Sequence, residues 1–339
     1  MRIEMSLNIF YPLKFEPIYM TRMWGGSMMT ELLNRKVPFN GVDPVGESWE
    51  LVDREGEQSV VVNGDFAGKS MEELLGLYKF DILGPEGKNY DRFPLLVKLI
   101  DAGERLSLQV HPDSEACAAI GGGAQPKTER WYILGCRPDG CILAGLDAGA
   151  TKSRLLETMN SSEVENLLQK YSSVPGDGYF ITSGTLHAIG GGNLILEIQQ
   201  NSDTTYRISD WGRVDQHGKP RELHVEKGIK SINFNTIGRC RITGDANNTR
   251  FNRVVPMVKD CPFFRIDALH LCEDLQENTR ERGSFHLLSA AQGVFIVKTD
   301  KGDVTVNMGE TVLIPYAVEN YVVSPVQGDE KNILIKTTL

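Results

Sequence analysis

The chain has 339 residues, of which 41% are hydrophobic and 24% are charged, an ordinary balance for a globular protein with room for two or three domains. A net charge of −9 and the lack of a Lys/Arg run argue against a nucleic-acid partner. No stretch approaches the ~20 apolar residues that span a bilayer, and the N-terminus lacks the apolar core of a signal peptide. The six cysteines include no Cys-x-x-Cys pair. We therefore expect a cytoplasmic protein with no membrane partner.

Short strand-like segments bounded by turn residues dominate the sequence and indicate an antiparallel sandwich or barrel. Examples are residues 48–52, 59–63, 95–100, 178–182 and 194–199. The main exception is the segment 147–172, where apolar residues such as Leu155 and Met159 recur at helical spacing and predict helix. Within it, Ser162 followed three residues later by Glu165 predicts a capping box.

A weak internal repeat is the best evidence for the fold. Each copy has a glycine turn, a short strand, a tight turn and a residue that begins the next strand. The first copy runs from Gly176 to His187, and the second runs from Gly309 to Asn320. This template resembles the second motif of the cupin β-barrel. Because only the first copy ends on a good metal ligand, we expect a metal in the first barrel and a structural role for the second.

The sequence therefore predicts a mainly β, double-cupin fold with a small helical segment. We expect a catalytic domain over residues 1–235, with the helical segment near 147–172, and a degenerate cupin domain over residues 236–339. The polar stretch 247–256 lacks clear periodicity and is expected to be a linker or long loop.

Candidate metal ligands lie on several of these predicted strands. Gln109 and His111 alternate along one strand and so point to the same face. Glu129 precedes another strand, and His187 follows the glycine turn of the first repeat. Together they form a nitrogen and oxygen set that suits zinc or a similar ion. Glu115 also follows His111 at a suitable spacing, but it lies at a predicted helix start, where its charge would stabilise the first turn.

Four runs of the sequence resemble type I mannose-6-phosphate isomerases of the short bacterial branch. They are residues 94–101, 106–113, 127–132 and 200–213. The resemblance covers residues 24–213, and the C-terminal third matches only as a degenerate cupin. It implies reversible conversion of mannose 6-phosphate to fructose 6-phosphate through an enediol. It also implies one zinc ion per chain, held by Gln109, His111, Glu129 and His187.

The resemblance also suggests roles for residues around the metal. It places the catalytic arginine of the family at Arg207 and a pocket lysine at Lys127, and it puts Ser107 and Lys98 near the substrate phosphate. The chemistry of these groups agrees. Arg207 stays protonated, so it can stabilise an enediolate or clamp the substrate, but it is not an ordinary base. Three proton carriers stay open: Lys127, if burial and the metal lower its pKa, Glu197, and a metal-bound water.

Other interpretations remain open at the level of sequence. The scaffold also suits an isomerase of another sugar or sugar phosphate, or a noncatalytic sugar-binding cupin. Arg207 could instead pair structurally with Asp203 or Asp210, and Glu197 could face solvent instead of a polar cavity. The glycines 190–192 lack the context of a phosphate loop and are expected to permit a close turn beside the metal. The expected partner is a small phosphosugar, and the sequence does not predict an oligomeric state.

Overall fold

The computed structural model describes residues 9–39, 41–214, 217–235, 240–243, 251–326 and 331–339. By its internal contacts the chain forms two compact units. The first, here called the site unit, comprises Ile18–Trp49 and Leu95–Ala246. The second unit comprises Met1–Pro17, Glu50–Pro94 and Asn247–Leu339. The predicted domains, 1–235 and 236–339, stay a prediction, and the two units differ from them by grouping two N-terminal segments with the C-terminal strands.

The structure confirms a mainly β chain with few helices. In chain order the strands of the first half are β1 (Ile18–Thr21), β2 (Val45–Leu51), β3 (Asp53–Arg54), β4 (Glu57–Gln58), β5 (Leu95–Ala102), β6 (Leu108–Val110), β7 (Glu129–Cys136), β8 (Cys141–Leu146), β9 (Leu168–Ser172), β10 (Gly178–Ile181), β11 (His187–Ile189) and β12 (Asn193–Gln200). The later strands are β13 (Tyr206–Ser209), β14 (Arg241–Ile242), β15 (Arg253–Val258), β16 (Arg265–His270), β17 (Leu275–Asn278), β18 (His286–Gln292), β19 (Phe295–Thr299), β20 (Gly302–Val306), β21 (Thr311–Ile314), β22 (Asn320–Pro325) and β23 (Ile333–Thr338). The α-helices are α1 (Met28–Leu33), α2 (Met71–Leu83), α3 (Ser114–Ile120), α4 (Lys152–Thr158) and α5 (Val225–Ser231).

The site unit is built from two antiparallel sheets. One has the order β1-β2-β5-β12-β7-β10-β14, and the other has the order β13-β6-β11-β8-β9. Trp131 and Tyr179 of the first sheet share a buried apolar cluster with Ile142 and Ala144 of the second. Burial of these side chains is the main force holding the two sheets together.

The second unit repeats this architecture. Its sheets have the orders β15-β16-β23-β18-β21 and β17-β22-β19-β20. Aromatic side chains fill its interior, and the rings of Phe93 and Phe285 lie 4.8 Å apart between centroids. Phe264 and Phe295 are also fully buried. The unit therefore has an apolar core of its own.

Both copies of the internal repeat are present, and they differ at the residue that ends them. In the site unit, β10 leads through a turn to β11, where His187 pairs with Gln109 of β6. In the second unit, β21 leads through a short 3-10 helix to β22, where Asn320 pairs with Asn278 of β17. The Asn278 amide donates to the Asn320 side-chain oxygen at 2.7 Å. Two hydrogen-bonded amides thus replace potential metal ligands in the second copy.

The predicted helical segment is only partly helical. α4 is followed by a 3-10 helix, Ser162–Leu167, and residues 168–172 form β9, which pairs with β8. The prediction of helix to the end of this segment was wrong because buried apolar spacing of three and four residues does not exclude a strand. The cap is also shifted, since the Ser161 side chain accepts from the Glu163 backbone N–H.

Two further predictions concern connecting segments and membranes. β15 begins at Arg253 inside the expected linker 247–256, so that part of the linker prediction was wrong, while residues 247–250 lie outside the described residues. Among the helices that the structure describes, none is long and apolar enough to cross a membrane.

Candidate metal centre and reaction pocket

Three of the predicted metal ligands converge inside the site unit. The ligand atoms of His111, Glu129 and His187 all lie within 4.8 Å of one another, and all three residues are buried. Glu129 Oε1 lies 3.5 Å from the Nε2 atom of each histidine. Strand positions produce this convergence, because His111 follows β6, Glu129 begins β7 and His187 begins β11.

Backbone carbonyls orient both imidazoles. His111 Nδ1 lies 2.9 Å from the Thr204 carbonyl oxygen, and His187 Nδ1 lies 2.9 Å from the Thr185 carbonyl oxygen. A carbonyl only accepts, so each Nδ1–H donates and each Nε2 directs a lone pair at the centre. Burial lowers the pKa of both rings, to about 3 for His187, which keeps them in the neutral form that binds metal.

Gln109 completes the set. Its side-chain amide nitrogen lies 3.3 Å from His187 Nε2, and its oxygen lies 3.4 Å from the Ser107 hydroxyl. A half-turn of the amide exchanges these two atoms and directs the oxygen at the centre. Gln109 is therefore within reach of an ion that the other three residues would hold.

Unpartnered polar atoms show that these residues fit a cation. His111 Nε2 and Glu129 Oε1 are buried and have no hydrogen-bond partner within the described part of the chain. Leaving such atoms unpaired costs free energy that a bound ion would recover. Glu115, the alternative ligand, lies in the first turn of α3, as expected, so the carboxylate of this centre comes from Glu129.

Lys127 lies beside the ligand carboxylate. Its ammonium is 2.8 Å from Glu129 Oε2, and its side chain is buried. Burial alone would lower the pKa of Lys127, but the negative charges of Glu129 and Glu197 hold it above its ordinary value. The sequence analysis considered a lowered pKa for Lys127, and the structure shows the opposite direction. The neighbouring carboxylates therefore keep Lys127 protonated, as a charged hydrogen-bond donor.

Glu197 faces the interior of the site unit and not solvent. Its carboxylate accepts a hydrogen bond from the Trp131 indole N–H at 2.9 Å, and it lies 3.9 Å from the Lys98 ammonium. Burial raises the pKa of Glu197 to about 7, although the positive charges of Lys127 and Lys98 oppose the rise. The polar-cavity interpretation of this residue is therefore the one that the fold supports.

Lys98 is surrounded by carboxylates. Its Nζ lies 3.8 Å from Glu47, 3.9 Å from Glu197 and 4.0 Å from Asp203. Burial would raise the pKa of Glu47, but the charges of Lys98 and Arg22 hold it at about 2. The sequence reasoning did not single out Glu47 as a site residue. Its alternation with Trp49 along β2, which puts both on one face, was the available signal.

These groups line one cavity of about 340 Å³ in the site unit. The predicted residues on its wall are Lys98, Ser107, Gln109, Lys127, Glu197 and Arg207. Polar residues that sequence reasoning did not assign to the site are Arg22, Glu47, Asp203, Thr205 and Arg221. Of the candidate metal ligands only Gln109 lines this cavity, and it shares the wall with the candidate proton carriers and the candidate phosphate contacts.

Arg207 is held mainly by backbone atoms. It lies opposite Gln109 in the pairing of β13 with β6, and its Nη1 donates to the Glu222 carbonyl at 2.7 Å. Within the described ranges, neither Asp203 nor Asp210 forms an ion pair with it. The alternative in which Arg207 forms a structural ion pair with Asp203 or Asp210 is therefore not what the fold shows.

The glycines 190–192 form a close turn, as expected. A Cβ atom on Gly190 would lie 2.5 Å from the Cys141 carbonyl oxygen, and Gly192 has φ +75°. The Asn193 amide donates to the Gly190 carbonyl at 2.8 Å. This turn joins β11, which carries His187, to β12, which carries Glu197.

A buried His-Glu-His set, linked through Lys127 and Gln109 to a charged cavity in a mainly β fold, defines a cupin-type protein with a candidate metal centre. The sequence profile described as "Phosphomannose isomerase type I, catalytic domain" matches residues 13–132. Mannose-6-phosphate isomerase ManA of Bacillus subtilis (strain 168) is 34% identical over 310 residues, which cover 91% of this chain and 95% of that protein. The chain belongs to the type I phosphomannose isomerase family.

Solved structures agree with this assignment. The crystal structure of mannose 6-phosphate isomerase from Bacillus subtilis matches with a TM-score of 0.83 and 29% identity, over 97% of this chain and 99% of that one. A crystal structure of mannose 6-phosphate isomerase bound with zinc and yttrium matches with a TM-score of 0.73 and 16% identity, over 96% of this chain and 99% of that one. The second likeness is one of fold alone. Together they support the double-cupin architecture expected from the repeat.

Proposed function

We propose that this protein is a cytoplasmic, zinc-dependent isomerase that interconverts mannose 6-phosphate and fructose 6-phosphate. The observation that carries the proposal is the buried set of His111, Glu129 and His187 beside a cavity lined by Arg207, Lys127 and Glu197. Gln109 would be the fourth ligand of one zinc ion per chain. The named activities of the relatives and the zinc in a solved neighbour are consistent with this reading.

The chemistry divides among the pocket residues. Zinc, when bound, supplies positive charge that stabilises negative charge developing on a substrate oxygen. Lys127 and Arg207 present N–H donors to the oxygens of an enediol, and each carries a positive charge that favours the enediolate over the neutral sugar. We assign the transfer of the proton between neighbouring carbons to the Glu197 carboxyl group, which is buried in the pocket wall. Its pKa of about 7 lets it both accept and release a proton at neutral pH.

The rest of the wall positions the sugar. Ser107, Lys98 and Lys127 present one hydroxyl and two ammonium groups to the cavity, and we assign them to substrate binding. Trp131 fixes the Glu197 carboxylate through the indole N–H, which limits the orientations of the proton carrier. Positioning of this kind lowers the entropy lost when the reacting groups meet.

The decisive experiment is a coupled assay of zinc-loaded protein on mannose 6-phosphate, with free mannose and a chelator control alongside. We expect chelator-sensitive formation of fructose 6-phosphate and a strong preference for the phosphorylated sugar. Absence of turnover by folded, zinc-loaded protein would refute the proposal. Equal turnover of other aldoses would instead favour an isomerase of different specificity.

Two variants separate the metal from the chemistry. His111→Ala should lose zinc, measured by metal analysis after dialysis, because it removes a ligand atom. Arg207→Ala should retain zinc and lose most of its turnover, because the guanidinium contacts the substrate and not the metal. Near-normal turnover by the second variant would remove Arg207 from the mechanism.

A further inference from the structure

Two guanidinium groups bind one carboxylate at the rim of the reaction pocket, and a third, that of Arg207, lies close to them. Asp210, whose side chain is 5% exposed, accepts from Arg213 Nη2 at 2.6 Å and from Arg221 Nε at 2.8 Å, and it accepts again from Arg221 Nη2. Burial and the charges of Arg221 and Arg213 lower the pKa of Arg207, although the charges of Asp210 and Glu222 oppose the decrease. Three positive charges therefore face two negative ones, and the Glu222 side chain is mostly exposed to solvent.

The other cations of the pocket wall are already neutralised. Lys98 lies within 4.0 Å of three carboxylates, and Lys127 contacts Glu129. Arg22 donates to both oxygens of Glu47, at 3.1 Å each. Arg207 and Arg221, which also line the cavity, belong instead to a cluster in which positive charges outnumber negative ones.

Arg221 also has unused donor capacity. Its Nε and Nη2 groups bind Asp210, while its Nη1 group has no hydrogen-bond partner among the residues that the structure describes. The side chain is 26% exposed and lines the cavity. Asp210 fixes the plane of the guanidinium, so the free edge is held in position before a ligand arrives.

We propose that Arg221, oriented by Asp210, binds the phosphate group of the substrate together with Arg207. This inference rests on the proposed function, and it identifies the residue that distinguishes phosphorylated from free sugar. A phosphate dianion complements the net positive charge of the arginine cluster, and guanidinium N–H groups match phosphate oxygens geometrically. A dianion placed instead at Lys98 would meet the repulsion of Glu47 and Asp203, and of Glu197 in its ionised form.

The test compares Arg221→Gln with a matched control, Arg241→Gln. Arg241 binds Asp177 through the same two nitrogens, Nε and Nη2, and its side chain is 28% exposed, but it does not line the pocket. Each zinc-loaded protein is titrated calorimetrically with mannitol 1-phosphate, which carries the phosphate but no reactive carbonyl. Turnover of mannose 6-phosphate is measured on the same preparations.

We expect Arg221→Gln to weaken mannitol 1-phosphate binding by about 10- to 100-fold, the range for lost charge-assisted hydrogen bonds, and to raise KM by a similar factor with a smaller change in kcat. Arg241→Gln should bind mannitol 1-phosphate within about twofold of wild type, because Arg241 does not line the pocket. Arg221→Lys keeps the positive charge but not the two-pronged guanidinium geometry, so its affinity for mannitol 1-phosphate should fall by an intermediate factor. This variant replaces Arg221→Gln in the test if the Gln variant fails to fold.

The outcomes separate this inference from the proposed function. If wild type turns over mannose 6-phosphate while Arg221→Gln binds mannitol 1-phosphate as tightly as wild type, the inference is overturned and the isomerase assignment stands. If wild type has no turnover, the assignment fails. The dissociation constants of the two variants then still decide whether Arg221 binds phosphate, because that measurement needs no reaction.

Discussion

Replacement of Lys127 by Met tests the electrostatic design of the metal centre. The substitution removes an ammonium 2.8 Å from Glu129 Oε2 and keeps an apolar chain of similar length. At an effective dielectric constant of about 20, the attraction across that distance is about 6 kcal/mol before desolvation. Loss of one partner of a buried ion pair typically costs about 3–5 kcal/mol, so the zinc-free protein should be destabilised by that order.

Zinc should reduce this cost. A divalent ion at His111, Glu129 and His187 supplies the positive charge that Glu129 loses with Lys127, and it no longer has a neighbouring ammonium to repel it. Lys127→Met should lower the free energy of unfolding in both states, but the decrease should be about 2–3 kcal/mol smaller in the zinc-loaded protein than in the zinc-free protein. By linkage, Lys127→Met should then bind zinc about 30- to 150-fold more tightly than wild type.

The assay is denaturant unfolding with and without zinc, together with zinc titration against a chromophoric chelator. Lys336→Met is the matched control, because Lys336 contacts both oxygens of Glu277 at 2.7 and 2.8 Å in the second unit and is also buried. Its cost should be the same with and without zinc. An equal cost for Lys127→Met in both states, or weaker zinc binding, would refute the reasoning.

Three further predictions concern stability. Arg130 is fully buried, and its guanidinium has no hydrogen-bond partner within the described residues. Arg130→Met should therefore keep or raise the thermal unfolding midpoint. A decrease of more than about 3 °C would show instead that the charge is compensated in the fold. Gly190→Ala should cost about 1–3 kcal/mol by denaturant unfolding, because its Cβ would lie 2.5 Å from the Cys141 carbonyl, whereas Gly76→Ala in α2, where the Cβ meets nothing within 4 Å, should be neutral or stabilising. Burial raises the pKa of Asp101 to about 6 from an ordinary value of 3.8, so stability from this group is present below about pH 4 and lost as pH rises through 6. Asp101→Asn should remove that loss, about 3 kcal/mol at most, and an unchanged pH profile of the unfolding midpoint would contradict the assignment.

The metal centre was predictable from sequence because its ligands lie on regular strands. Alternation places Gln109 and His111 on one face, and the glycine-turn template places His187 at the start of β11, directly opposite Gln109. Glu129 was separable from Glu115 because the latter follows a helix-capping Asp113. Period and capping are local properties, so one sequence suffices to read them.

The arginine rim was not predictable in the same way. Arg221 lies 14 residues beyond Arg207 in a connecting segment, and only the path of that segment brings its side chain to Asp210. The helix prediction for residues 168–172 was wrong because the apolar spacing there also fits a helix. Only the backbone pairing with β8 makes this segment a strand. Long-range pairing and loop paths decide both cases, and neither leaves a periodic signal.

The anchors of His111 and His187 have a consequence for how this centre changes over evolutionary time. Both rings are oriented by main-chain carbonyls, those of Thr204 and Thr185, and not by side chains. A point substitution at either threonine leaves its carbonyl in place, so the tautomer of each ligand is protected from drift at those positions. The sequence around the ion can therefore diverge while both histidines keep their orientation toward it. Only changes in the backbone path or in the ligands themselves would alter that orientation.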